Sequence, residues 1–393
     1  MASLLLAIIY IAFISLGLPD SLLGSAWPVM YNELAVSSSL AGIITMLISA
    51  NTILSSLMSD RLTSKFTAQK VTVVSVLTTA VSLFGFSMSD RFWMLCLWAI
   101  PYGLGAGCID AALNNYVALH FNSRQMSWLH CCWGLGATIS PYIMGTALTK
   151  GAGWQAGYRW VSIIQFVITF IIFTSLPLWG KVRGRVNEGK AENREAIPLK
   201  KVVKIPGAVL LFIAFFAYCG MEATAMLWTS SYMVFAKNVA VETAARFGAL
   251  YVLGITVGRF ISGFISDKLG DKNMIRLGII IVGLGLLIVA IPMGGVTFAV
   301  VGIMIVGVGS GPVYPSIIHA TPDNFGADKS QAIIGMQMAS AYVGSTFVPP
   351  LFGLVQGLTG IWILPFFLVL FFILLLVMTE KLNLLLKNDS EWR

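Results

Sequence analysis

Three carboxylates sit in stretches of chain where charge is expensive. Asp20 lies within LLLAIIYIAFISLGLPDSLLGSAWPVMY, Asp110 within FWMLCLWAIPYGLGAGCIDAALNNYVAL, and Glu222 within LLFIAFFAYCGMEATAMLWTSSYM. A charged side chain at the middle of a bilayer costs at least ~2.5–3.5 kcal/mol on insertion scales, so acids kept there usually line a water-filled path, bind a solute, or take up and release protons. Their neighbours suit such work. Asp20 follows Leu18-Pro19 and precedes Ser21, Gly24 and Pro28, residues that weaken a helix in the way cavity-lining segments do. Helical spacing puts Asp20, Gly24 and Trp27 on one face, which predicts a carboxylate above an aromatic surface. Asp110 follows the small-residue run Gly103 to Gly107, a spacing that permits close helix contact, with Asn114 one turn on.

Other candidates surround these acids. His130 and Trp133 are three residues apart, a polar donor beside an aromatic plate, a pairing that suits the two kinds of face on a sugar ring. Glu222 shares its apolar run with Trp228. No basic residue in the apolar runs is an evident partner for it, since Arg259 sits close to a polar loop. Glu222 is therefore expected to be protonated or bonded to a polar ligand. Gln337, Ser340 and Gly344 fall on one stripe of a later segment, a candidate cavity wall, and Pro349-Pro350 marks an expected break. Each has a plainer reading: a carboxylate at a helix end, a hydrogen bond between helices, a structural histidine, a packing stripe.

Long apolar helices must position these residues. The chain is 57% hydrophobic and 11% charged, against roughly 25% charged in soluble domains. Its apolar residues fall into twelve runs, many about 20 long, the length that crosses ~30 Å of hydrocarbon as helix. They lie near 4–31, 40–60, 70–89, 92–119, 126–150, 158–179, 206–235, 243–267, 272–291, 296–320, 328–356 and 361–380. The ten-residue alternation of a membrane β-barrel is absent. The expectation is an all-α polytopic membrane protein with 12 transmembrane helices. One long polar stretch divides it into 1–180, a linker at 181–205, and 206–393.

Charge placement gives orientation. The linker region from Lys181 to Lys204 carries 8 of the 25 basic residues, and Arg61, Lys65, Lys70, Lys268, Lys272, Arg276, Lys387 and Arg393 fall on the same side. The other side holds Arg91, Lys150, Arg159, Lys237 and Arg246. By the positive-inside rule both termini and the linker are cytoplasmic, in a cell (plasma or inner) membrane. The net charge of +8 is thus topological and points to no nucleic acid. The five cysteines lie in apolar runs without metal spacing, so neither disulfide nor metal site is expected. The first run lacks a basic flank and cleavage site and reads as a first helix.

An internal repeat supports the division. SLMSDRLT at 56–63 and GFISDKLG at 263–270 each follow the second apolar run of their half, so the halves run in the same direction. Asp60 with Arg61, and Asp267 with Lys268, can pair with a neighbouring helix end and latch one closed state. Plain topogenic charge is the alternative.

These features resemble the major facilitator superfamily, whose loop motif G-x-x-x-D-[RK]-x-G is matched fully by the second copy; the first has Ser56 and Thr63 for its glycines. Within it the chain resembles the fucose-permease-like, or fucose:proton symporter, family. Pro19-Asp20-Ser21-Leu22-Leu23 is similar to that family's helix-one aspartate context. Ile109-Asp110-Ala111-Ala112-Leu113-Asn114-Asn115 is similar to its helix-four E-T-A-A-N, and His130 to Gly136 to its helix-five motif, with Trp133 where the family has asparagine. The resemblance implies two parallel six-helix halves and proton-coupled symport of a monosaccharide or related hydroxylated solute by alternating access. Asp110 would be the principal proton carrier and Asp20 would share protonation and bind sugar hydroxyls. Asn114, His130, Trp133, Glu222, Trp228 and Gln337 would shape the pocket. The departure at Trp133 points to a sugar other than fucose. A proton-driven exporter of drug-like or cationic compounds is the alternative, because buried acids also bind cations. Carboxylates and hydroxyls serve sodium as well as protons, so the coupling ion stays open; no cofactor is expected. No phosphate-binding loop occurs, and neither catalysis nor ATP-driven transport is expected. The partners expected are the solute and the lipid bilayer, with the chain a monomer.

Overall fold

The computed structural model describes residues 2–182, 195–291 and 295–391. The middle of the expected linker, and Arg393, lie outside the described residues. Every regular element among the described residues is helical. In order these are α1 (Ala2–Gly17), α2 (Leu22–Glu33), α3 (Ala41–Phe66), α4 (Ala68–Ser87), α5 (Phe92–His120), α6 (Ser123–Thr149) and α7 (Gly153–Trp179). There follow α8 (Leu199–Val202), α9 (Ala208–Lys237), α10 (Val241–Ala290), α11 (Val296–His319), α12 (Thr321–Phe325), α13 (Ala327–Thr359) and α14 (Leu364–Glu391).

Among the described residues, 10 helical stretches are long and apolar enough to cross a membrane. α6 is as long as these but opens on the polar residues Ser123, Arg124, Gln125 and Ser127. Within α10 the backbone turns a corner at Gly270, with φ 74° and ψ 159°, between two runs that read from sequence as separate segments. A left-handed φ there suits a residue without Cβ. The first repeat copy makes the same kind of corner one turn later, at Thr67, with φ 68° and ψ 152°. Thr63, the residue in the glycine position of the motif, stays helical and donates its hydroxyl to the Ser59 carbonyl at 2.8 Å. The lost motif glycine thus goes with a displaced corner, held by a strained β-branched residue.

Two expectations fail. The first apolar run is not one helix, because the chain breaks between Gly17 and Leu22. The Pro349-Pro350 pair, by contrast, breaks nothing: α13 runs through it. Proline is tolerated in a membrane helix whose neighbours hold the turn. The prolines remove the helical donors of the Ser345 and Thr346 carbonyls, and next to them the Trp228 indole donates to the Pro349 carbonyl at 3.0 Å.

The chain forms two compact units. One comprises Met1–Phe121, Trp128–Ile197 and Ala327–Gly335; the other comprises Asn122–Ser127, Pro198–Gly326 and Met336–Arg393. In the first, α5 is the spine. Gly103 and Gly107 press against α3 so closely that a Cβ would come within 2.4 Å of the Ile48 oxygen and 2.2 Å of the Thr52 oxygen. The expected close helix contact beside Asp110 is present. α4 packs between α5 and α7, with Phe86 stacked on Tyr158 and the Ser162 hydroxyl donating to the Ala80 carbonyl. The core around them includes Leu22, Met30, Ile44, Leu95 and Trp154, all fully buried. In the second unit α11 packs against α10 and α9 against α14, where Phe216 meets Phe371.

Candidate functional site

Asp20 owes its position to the break after α1. Pro19 has no N–H, so the Ser15 carbonyl one turn earlier loses its helical donor. Gln165 of α7 replaces it: its Nε2 donates to the Ser15 oxygen at 2.8 Å, while its Oε1 accepts from the Thr79 hydroxyl at 2.9 Å. Gln165 is buried, and a cavity of about 10 Å³ lined by Ser15, Pro19, Tyr102, Ile109 and Gln165 lies beside the break. That is roughly the space of one water. The open turn leaves Asp20 exposed. Its Oδ2 accepts a hydrogen bond from the Trp133 indole at 2.8 Å.

α6 can deliver Trp133 because it touches α1 backbone to backbone. A Cβ on Gly17 would lie 2.0 Å from the Trp133 oxygen, and one on Gly136 would lie 2.1 Å from the Ile14 oxygen. The expected aromatic partner of Asp20 was Trp27, and this is corrected. Trp27 is buried beyond the break, donates to the Ser38 carbonyl at 2.7 Å, and packs against Tyr31 and Phe92. The spacing rule assumed one helix through Pro19, and the break re-aims everything after it.

Asp110 heads a short buried chain. Asn114 Nδ2 donates to Asp110 Oδ1 at 2.8 Å, which turns Asn114 Oδ1 towards His130, whose Nε2 lies 3.1 Å away. With the amide so placed, Nε2 carries the hydrogen. All three residues are buried, and Phe13 sets its ring edge-on to His130. Asp20 and Asp110 belong to the same compact unit. Carboxyl, carboxamide, imidazole and indole thus meet within the first unit, an assembly able to bond hydroxyl groups and to accept and return a proton.

Glu222 lies in the second unit, and the expectation that it has no basic partner is wrong. Arg259 Nη2 is 3.6 Å from Glu222 Oε1, with the two side chains 5% and 15% exposed. Arg259 lies eight residues before Asp267, about 12 Å deeper along the helix at 1.5 Å per residue. That depth was the available signal. The Tyr218 hydroxyl contacts Glu222 Oε2 and also lies 2.8 Å from the Ser310 carbonyl oxygen. The Arg259 guanidinium stands over the Tyr314 ring, 5.9 Å from its centroid. Trp228, bonded to Pro349, also sets its ring edge-on to Phe352. Gln337 is fully buried, and its Oε1 accepts from the Thr321 hydroxyl at 3.2 Å. The Gly344 end of its stripe presses on the Phe216 carbonyl.

The motif acids both meet backbone. Asp60 is buried and its Oδ2 accepts from the Ile197 N–H at 2.8 Å. Asp267 sits at the start of α6, accepting from the Arg124 N–H at 3.2 Å and pairing with the Arg124 guanidinium at 3.1 Å. An acid at a helix N-terminus satisfies orphan N–H groups and complements the dipole. Asp271 adds bonds to the Ser123 hydroxyl at 2.7 Å and to His319 at 2.6 Å. Arg61 and Lys268 are exposed. A further cavity of about 190 Å³ in the first unit, lined by Asn115, Tyr116, His120, Trp179 and Gln331, contains none of the expected solute-binding residues.

Comparison with known proteins gives a consistent family. The profile of the Major Facilitator Superfamily matches residues 9–249 and 210–391. The hexuronate transporter of Bacillus subtilis (strain 168) is 26% identical over 277 residues, covering 66% of this chain and 64% of its own length. The probable nitrate/nitrite antiporter NarK1 of Thermus thermophilus is 22% identical over 381 residues, covering 85% and 83%. The crystal structure of the E. coli fucose:proton symporter FucP superposes with a TM-score of 0.75 at 16% identity, covering 97% of this chain and 98% of that one.

Proposed function

The chain belongs to the Major Facilitator Superfamily, and from that premise we propose that it is a proton-coupled symporter of a monosaccharide or a related small hydroxylated solute. As a member of that superfamily it is a membrane carrier and not an enzyme. The proposal includes twelve transmembrane helices in two parallel six-helix halves joined by a linker at 181–205, both termini cytoplasmic, working by alternating access. The corner at Gly270, which divides α10, supports the helix count, and the fold likeness to FucP supports the architecture.

The observation that carries the reading is the hydrogen-bonded chain Asp110–Asn114–His130 in company with Asp20 and Trp133. Asp110 has polar neighbours through which a proton can be held at its carboxyl, and Asn114 couples that carboxyl to His130. Asp20, exposed and bonded to an indole, is suited to accept hydrogen bonds from solute hydroxyls, with Trp133 as the apolar plate for a sugar ring. Asp60 and Asp267 serve as latches at helix ends. The B. subtilis hexuronate transporter and FucP are named for sugar-derived solutes, which favours this class.

The test is transport in proteoliposomes with a sugar panel, varying the pH and sodium gradients separately. Asp110→Asn should retain solute exchange and lose accumulation against a gradient. Undiminished accumulation by Asp110→Asn removes the coupling role assigned to that residue.

A further inference from the structure

We infer that the cavity of about 190 Å³ beside Asn115 and Gln331 is a binding site for a small uncharged ring compound with a carboxamide or lactam edge. The site is separate from the one at Asp20 and Asp110 and does not depend on the transport reading. Its walls come from α3, α4, α5, α7 and the start of α13, all within the first unit.

Two buried amide side chains give the cavity its chemistry. Asn114 turns to Asp110, and Asn115, about 100° further round the helix, lines the cavity. Asn115 and Gln331 are 7% and 2% exposed. Ser330 Oγ lies 2.6 Å from Asn115 Oδ1 and 3.0 Å from the Ala327 carbonyl oxygen. The shorter contact takes the single hydroxyl hydrogen, which leaves Asn115 Nδ2 for another partner. Gln331, the next residue, donates from Nε2 to Ser59 Oγ at 3.3 Å, which leaves its Oε1. Among the described residues neither Nδ2 nor Oε1 has a hydrogen-bond partner, and neither atom is sealed inside the packing. Polar groups so nearly buried are costly when unmet, and one ligand edge can satisfy both. Nδ2 can only donate and Oε1 can only accept. Together they read an acceptor beside a donor, which is the edge of a carboxamide or lactam.

The rest of the wall narrows the class. Tyr116 stacks on His120 with ring centroids 3.9 Å apart and meets Trp179 at 4.6 Å, a group of aromatic rings against which a flat ring can pack. No aspartate, glutamate, lysine or arginine among the described residues lines the cavity, so no fixed charge there balances that of an ion. The volume is below the ~300–1,000 Å³ of drug-sized sites and suits a single ring. Thr63 and Thr67 also line it, the first in the lost-glycine position and the second at the displaced corner. The departure from the repeated motif thus builds one wall of the cavity. Both threonines lie between Arg61 and Lys70, on the face that the orientation proposed above makes cytoplasmic.

The experiment is a ligand-observed NMR titration of the purified full-length chain with nicotinamide, uracil, methyl nicotinate and glucose. Nicotinamide and uracil should bind. Methyl nicotinate keeps the ring and carbonyl but has no N–H, and should bind at least about fivefold more weakly, the equivalent of one unmet hydrogen bond. Asn115→Asp keeps an acceptor for Ser330 and removes the donor, so it should weaken nicotinamide binding by a similar factor. Gln331→Met removes the acceptor and should do the same. Asp20→Asn should leave nicotinamide binding unchanged, because Asp20 does not line this cavity. Comparing amide with ester needs no variant, so it reads out even if both cavity substitutions prevent folding. Equal binding of amide and ester overturns the donor–acceptor assignment, and so does full-strength nicotinamide binding by both cavity variants. Loss of nicotinamide binding in Asp20→Asn overturns the separateness of the site. Glucose that displaces nicotinamide overturns the ligand class, and failure of both amides to bind overturns the site while leaving sugar transport standing.

Discussion

The acids of the two units are held by chemically different partners. In the first unit, Asp20 meets an indole N–H and Asp110 meets a carboxamide that leads to an imidazole, groups that are neutral or can become so. In the second, Glu222 meets a guanidinium, which is never neutral, inside a shell of buried tyrosines. A carboxylate among neutral donors can gain and lose a proton while its neighbours keep their charge. A carboxylate opposite a buried arginine is held by charge as well as by hydrogen bonds, and removing either partner leaves the other uncompensated. The first arrangement sets its acids beside uncharged donors; the second sets its acid beside a permanent cation.

The sharpest way to break this comparison is Arg259→Gln. Leaving the partly buried Glu222 without its cation should cost at most about 3–5 kcal/mol in unfolding free energy, and adding Glu222→Gln should restore most of it. If both single and double variants unfold like the parent, the pair is not the organising feature of the second unit. Next in size is Gln165→Leu, which leaves the Ser15 carbonyl without its donor. One unmet buried acceptor should cost about 1–3 kcal/mol and loosen the break that holds Asp20. Chemical denaturation reads the stability, and a parallel loss of solute binding would tie the break to the site. Trp133→Phe keeps the ring and removes the N–H from Asp20. With Asp20 exposed, the loss should be about 1 kcal/mol, or roughly fivefold in solute affinity by titration, with stability little changed. Smallest is Arg124→Gln. Its pair with Asp267 is 43% and 27% exposed, so the change should stay under about 1 kcal/mol and shrink in high salt. A large effect there would mean that burial does not set Arg259 apart from the other arginines.

Much of the architecture was legible in the chain because bilayer thickness dictates run length, and a run of apolar residues needs no partner to be recognised. The three acids were legible for the same reason, as costly exceptions. Asn114 was found because a residue one turn along a helix is a neighbour whatever surrounds it. Trp133 was found as a residue, while its partner was not. Spacing on an assumed continuous helix chose Trp27 for Asp20, but Pro19 ends α1 and turns Trp27 towards Ser38. Arg259 was set aside on nearness in sequence to a loop, although eight residues of helix place it well inside. Gln165 carried no signal at all, being 150 residues from the carbonyl it rescues.

The sequence by itself determined which segments are helical and apolar, where the chain repeats, and which few residues pay for a charge among them. Those properties are local, set by hydrophobic length, helix period and the cost of burying an ion. Only the tertiary structure decided who meets whom: the indole on Asp20, the amide under Pro19, the guanidinium beside Glu222. Such pairings depend on how helices cross and where they break. Those are set by backbone contacts at Gly17 and Gly136 and by side chains reaching across from distant helices, and no spacing rule along one helix contains them.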